Sequence, residues 1–155
     1  MSRGARGFTL LEMAMVLLII AVGSALVVPM IEGGFDSREV RRAARQIAAT
    51  MHYCRGEAVA VGKPQELVIV QATNAIQTTG GRSAVLSDRA VIEQIRGGFN
   101  PAPGVAQILF YPNGSTTGAD VVLASRRDRA QGGRNRLLVH LDPLVGTVAV
   151  RDAAP

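Results

Sequence analysis

A chain of 155 residues and 16.3 kDa holds about one domain; with 48% apolar and 19% charged residues and a mean hydropathy of +0.22, it is not a disordered polar chain. A single cysteine, Cys54, excludes an internal disulfide framework and a multi-cysteine metal site, while 4% aromatics and no Trp argue against the stacking platforms that hold single-stranded nucleic acid or sugars. The net charge of +5 and sequence pI of 10.6 admit nucleic acid or anionic lipid as partners without deciding between them.

The N-terminus sets the compartment. Residues 1–7 are short and basic, and Phe8–Ile31 is a run of 24 residues with one charge, Glu12. As a helix that run spans about 36 Å, enough for a hydrocarbon core of about 30 Å. Arg3 and Arg6 precede it, which keeps the N-terminus cytoplasmic and exports the rest. A secretory signal has a shorter apolar core followed by a small-residue cleavage site. This run is longer and is read as a retained single-pass anchor in the inner membrane. Glu12 stands out inside it, because a charge in an apolar helix costs a few kcal/mol and so tends to mark function. Either it snorkels to the headgroups, or a partner neutralises it.

Arg6-Gly7-Phe8-Thr9-Leu10-Leu11-Glu12 resembles the class III signal of type IV pilins and type II secretion pseudopilins. The resemblance implies that a prepilin peptidase and methyltransferase cuts between Gly7 and Phe8 and methylates Phe8. Residues 1–7 are then a leader, 8–31 a transmembrane and assembly helix, and 32–155 a periplasmic domain. Glu12 becomes the fifth mature residue and Pro29 the twenty-second, where pilin helices commonly carry a kinking proline. Cleavage also creates a free α-amine with a pKa of about 7.7–8.0, at least half protonated near neutrality. In a neighbour displaced by about one helical turn, that amine reaches Glu12, and docking relieves two poorly solvated charges together.

Pro29 and Gly33-Gly34 predict a kink or melted stretch over residues 29–35. A second helix then starts at Asp36, which with Glu39 forms an Asp variant of the capping box. Val40, Ala44, Ile47, Met51, Cys54 and Ala58 recur at helical spacing and predict a stripe packed on the chain's own domain. That helix closes near Val61, before Gly62 and Pro64. Short β-type runs follow at Glu66–Val70, Ala75–Thr78, Ala84–Leu86, Gln107–Tyr111, Val121–Ala124, Arg136–Leu141 and Thr147–Val150, separated by Gly, Pro and Asn turn signals. Ala90–Ile95 fits strand or helix. The plan is α+β and pilin-like: a long N-terminal helix, membrane-spanning in its first half, packed on antiparallel sheets.

Phe110-Tyr111-Pro112-Asn113-Gly114-Ser115-Thr116-Thr117-Gly118, with the strands after it and Asp142-Pro143, resembles the Gly-rich hairpin stretch of the GspH/FimT family. In secretion systems its members are minor pseudopilins, structural subunits of a periplasmic pseudopilus. This implies major and minor pseudopilins, an inner-membrane assembly platform and membrane lipid as partners. The alternative is a FimT-like minor type IV pilin that initiates pili or binds DNA for uptake. Gly133-Arg134-Asn135-Arg136 matches the Gly-Arg-x-Arg pattern of DNA-binding relatives, in which it lies in the C-terminal tail. The corresponding stretch here is Gly146-Thr147-Val148-Ala149, without arginine. Arg134 and Arg136 are therefore expected to give weak, salt-sensitive anion contact in a mobile loop, and nucleic acid is not expected as a physiological partner.

No enzyme, cofactor or metal is read from the sequence. Gly56…Gly62-Lys63 has the wrong spacing for a phosphate-binding loop, with Pro64 where Ser or Thr should hold magnesium. His52 and His140 share no metal-ligand spacing. Cys54 falls on the apolar stripe, as a packed thiol does.

Overall fold

The computed structural model describes residues 9–131 and 136–153, except for the side chains of 25–35 and 131. The chain divides into two compact units, one through Phe35 and one from Asp36 onward. Helix α1 runs Leu10–Val61 without interruption in its hydrogen-bonded backbone. The melted stretch and second helix start expected at 29–36 are therefore absent. Proline removes only its own donor and displaces one carbonyl, and two glycines cost about 1 kcal/mol each. A helix already nucleated on both sides carries that cost, because propagation is far easier than nucleation. Asp36 consequently serves as an ion-pair partner for Arg89, at 3.9 Å, rather than as a cap. Among the described residues, no helix is long and apolar enough to cross a membrane; the run assigned to the span includes residue 8 and side chains beyond 24, outside the described ones.

From Asp36 on, α1 packs on two antiparallel sheets. One contains β1 (Gln65–Val70), β2 (Ala75–Thr78), β3 (Ser83–Val85), β5 (Phe99–Ala102) and β6 (Val105–Phe110), in the order β3-β2-β1-β6-β5. The other contains β4 (Ala90–Gly97), β7 (Ala119–Ser125), β8 (Arg136–Leu141) and β9 (Val148–Asp152), in the order β4-β7-β8-β9. Pairing Leu67 with Ile108 and Val121 with Val139 puts the alternate apolar residues of neighbouring strands on one inner face. Against those faces lies the predicted stripe of α1. Val40, Ala44, Ile47, Met51, Cys54 and Ala58 are all buried, joined by Ala43. Gly62 ends the helix with φ +68°, its amide donating to Ala58 O at 3.0 Å, a left-handed C-terminal residue that glycine adopts without penalty.

Ala90–Ile95, which fits strand or helix in the sequence, is strand, the start of β4. Two further elements differ from the sequence reading. Phe99–Ala102 is a strand that its own Pro101 conceals; proline is tolerated because β5 is an edge strand. The basic stretch expected as a loop begins with a short helix, α2 (Arg126–Gln131). Its cap is Ser125, whose Oγ accepts from Asp128 N at 2.9 Å.

Candidate assembly site

At the start of α1, Thr9 caps the helix. Its Oγ1 accepts from Glu12 N at 3.2 Å and its carbonyl O from the same amide at 3.1 Å. Thr9-Leu10-Leu11-Glu12 thus has the spacing of a capping box, a second reading of Glu12 that Thr-x-x-Glu carries in the sequence itself. The carboxylate sits in the first turn, where the helix dipole favours negative charge. Every described residue from Thr9 to Ser24 is exposed, including Leu10, Leu11, Leu17, Leu18, Ile19 and Ile20. An apolar helix bare on all faces is incomplete in water and calls for lipid or other helices around it. Gly7 and Phe8, the expected cleavage and methylation position, lie outside the described residues, as does the side chain of Pro29.

In the second unit, the turns after β6 and β8 interlock. Tyr111 N donates to Ser115 O and Gly114 N to Tyr111 O, each at 2.9 Å, closing the tight turn expected at Pro112-Asn113-Gly114. Thr116 N then donates to Pro143 O at 2.9 Å, and Thr116 Oγ1 to Asp142 O at 3.1 Å. The Asp142 carboxylate accepts from Leu144 N and Val145 N at 2.8 and 2.9 Å, and these two amides hold its pKa below the usual carboxylate value. From α1, Arg55 Nε donates to Gly114 O at 3.2 Å. Gly146 has φ +64°, and a Cβ there would stand 2.5 Å from Gly114 O and 2.7 Å from Arg55 Nε. Glycine is required by conformation and by space. This clamp was not evident in the sequence, where Arg55 reads as one more arginine off the stripe. It holds Leu144 and Val145, 83% and 58% exposed, on a fixed turn.

The remaining singled-out residues are accounted for by their surroundings. Cys54 is buried on the α1 stripe, and burial pushes its thiol up to about 11, away from nucleophilic behaviour. His52 is exposed on α1. His140 Nδ1 lies 2.6 Å from Asp120 Oδ1 across β7 and β8. Gly56 is inside the helix and Gly62 at its end, so no loop cradles a phosphate there. Arg136 is committed: Nε and Nη2 meet the two Glu93 oxygens at 2.6 and 2.9 Å, a bidentate pair. The Arg136 hydrogen bond, opposed by partial burial, holds Glu93 below its usual pKa. Arg134 lies outside the described residues.

With this geometry stand the likenesses to known proteins. Residues 43–142 match the family Type II transport protein GspH, and residues 2–28 match the prokaryotic N-terminal methylation motif. Type II secretion system protein H of Xanthomonas campestris pv. campestris is 31% identical over 133 residues, 82% of this chain and 76% of that protein. The minor pseudopilin EpsH of Vibrio cholerae shares the fold at a TM-score of 0.59 and 12% identity, covering 77% of this chain and 97% of that one. The type IV minor pilin FimU of Pseudomonas aeruginosa does so at 0.54 and 14%, covering 74% and 96%. The matched family spans most of the second unit, including the turn after β6, and the methylation motif spans the bare helix start: the chain belongs to the GspH family of type II transport proteins.

Proposed function

We propose that this protein is a minor pseudopilin of a type II secretion system, a structural subunit that enters a periplasmic pseudopilus through its N-terminal helix. The observation that carries the reading is the pairing of a closed, self-sufficient core from Asp36 onward with an apolar helix start that covers none of itself. A prepilin peptidase removes residues 1–7 and methylates Phe8. The segment Phe8–Ile31 anchors the chain once through the inner membrane, N-terminus cytoplasmic, until the assembly platform moves it into the fibre. There the new amine of one subunit meets Glu12 of the next, and neighbouring major and minor pseudopilins cover the leucines and isoleucines that are bare in the single chain. A FimT-like uptake pilin has less behind it, since Arg136 is already paired with Glu93.

Intact-mass measurement of membrane-extracted protein tests processing. The expected product begins at methylated Phe8, and its side-chain charge falls from +5 to +3 with the loss of Arg3 and Arg6. A mature chain beginning at Met1, or after residue 24, would refute it. Glu12→Ala and Glu12→Val should leave insertion and cleavage intact and lower crosslinking to neighbouring subunits. Unchanged crosslinking in both removes Glu12 from the assembly contact.

A further inference from the structure

The second unit also contains a cleft of about 580 Å³ where the two sheets meet α2. Its walls are stitched rather than loose. Gln71 Nε2 donates to Ile92 O and Glu93 O at 3.0 and 2.8 Å, beside the β-bulge that interrupts β4 there. Asn74, buried and at φ 51°, donates through Nδ2 to Ala90 O at 3.0 Å and accepts from Ile92 N at 3.2 Å. With their amides spent on backbone, these two residues set the shape of the cleft. Arg126 and Arg129, three residues apart on α2 and so on one face, supply its charge. Arg126 Nε donates to Asp88 O at 3.0 Å, which fixes the direction of that side chain. Among the described residues no carboxylate lines the cleft; Val91 and Pro103 supply apolar wall.

We propose that this cleft takes a carboxylate side chain presented by an acidic segment of another protein subunit. Two guanidinium groups beside one recess suit a carboxylate, whose two oxygens accept two parallel hydrogen bonds from one arginine fork while the second adds its charge. The apolar wall strengthens that pairing by lowering the local dielectric. Nucleic acid fits less well. The cleft holds two arginines on one short helix rather than a stripe that could track successive phosphates, and among the described residues no aromatic side chain lines it to stack a base. Assigning the acidic segment to a neighbouring pseudopilin rests on the function proposed above; the chemistry of the cleft does not.

The test uses full-length protein in detergent micelles, with N-acetyl-hexaglutamate amide as the acidic probe. A hexaglutamine peptide and a short DNA duplex serve as comparisons. Hexaglutamate should shift the backbone NMR signals of Val91, Gly104 and α2, with an affinity that falls as salt rises. Arg126→Gln with Arg129→Gln should weaken it at least tenfold at an unchanged melting temperature. The proposal is overturned if the double variant binds hexaglutamate as well as the parent, if hexaglutamine binds equally, or if the duplex produces the same shifts more tightly. In cells, Arg126→Glu with Arg129→Glu should reduce crosslinking to other subunits without changing the mature mass. Should the unaltered protein itself fail to crosslink, the pseudopilin reading fails while the peptide result stands or falls alone. Should it crosslink and the reversed variant do so equally, the cleft is not a subunit contact.

Discussion

Ile47 lies at the middle of the α1 stripe and is fully buried against the sheets. Ile47→Ala removes three carbons from that site. At about 0.8 kcal/mol per buried methylene the transfer loss alone is about 2.4 kcal/mol. The hole left between helix and sheets adds a cavity cost, so the total should reach roughly 3–4 kcal/mol, inside the usual range of about 2–5 for such truncations. A domain of this size holds about 5–15 kcal/mol in all, so the loss is a large share of it. The compact unit from Asp36 onward contains every buried hydrophobic side chain among the described residues and is the natural molecule to measure. Urea denaturation followed by circular dichroism should show the midpoint fall with an unchanged slope, and melting should drop by roughly 10–20 °C. Arg42→Ala is the control. Its side chain is 79% exposed, with a 3.8 Å contact to Glu39, and such surface changes stay within about 0.5 kcal/mol. A loss below about 1 kcal/mol for Ile47→Ala, or an equal loss for Arg42→Ala, refutes the packing of the helix on the sheets.

Gly146→Ala should destabilise by more than about 1 kcal/mol, since it meets both a left-handed backbone and the Arg55 clamp; urea midpoints measure it, and Leu144→Ala on the same turn should cost little. The Cys54 thiol, buried and pushed up to about 11, should resist alkylation by iodoacetamide at pH 8 in the folded protein and react once urea unfolds it. Glu93 is held below the usual glutamate value near 4.5, so its contribution to stability is complete above that pH and disappears as acid protonates it in the folded state. Urea midpoints measured from pH 6 downward should fall, and Glu93→Gln should flatten that slope.

The extent to which the sequence determined the fold can be judged element by element. The stripe of α1 was legible because six apolar positions at helical spacing face one surface, a local pattern that burial then respects. Ala75–Thr78 and Arg136–Leu141 appear with the predicted bounds because turn residues flank them closely. A melted stretch at residues 29–35 does not form, because Pro29 and Gly33-Gly34 lie in a helix extended on both sides, which outweighs isolated breakers. Phe99–Ala102 was missed for the opposite reason. A proline forbids a central strand but not an edge, and edge position is a property of the sheet, invisible until the strand order is known.

The sites divide along the same line. Glu12 could be singled out because a lone carboxylate in an apolar run is anomalous within its own segment, and its capping partner Thr9 lies three residues away. The arginines could not be sorted that way. From position 126 to 136 the chain reads as one basic stretch, yet its members have different fates. Arg136 is drawn into a bidentate pair with Glu93, a residue 43 positions earlier in sequence, while Arg126 and Arg129 are carried by α2 to the wall of a cleft shaped by Gln71 and Asn74. Charge density locates a basic surface, but only the sheet register decides which cations are already neutralised. The pattern match at Gly133-Arg134-Asn135-Arg136 therefore pointed to an arginine with a carboxylate already beside it. The two arginines whose geometry best suits an outside carboxylate stand at the start of the same stretch, where no motif called attention to them.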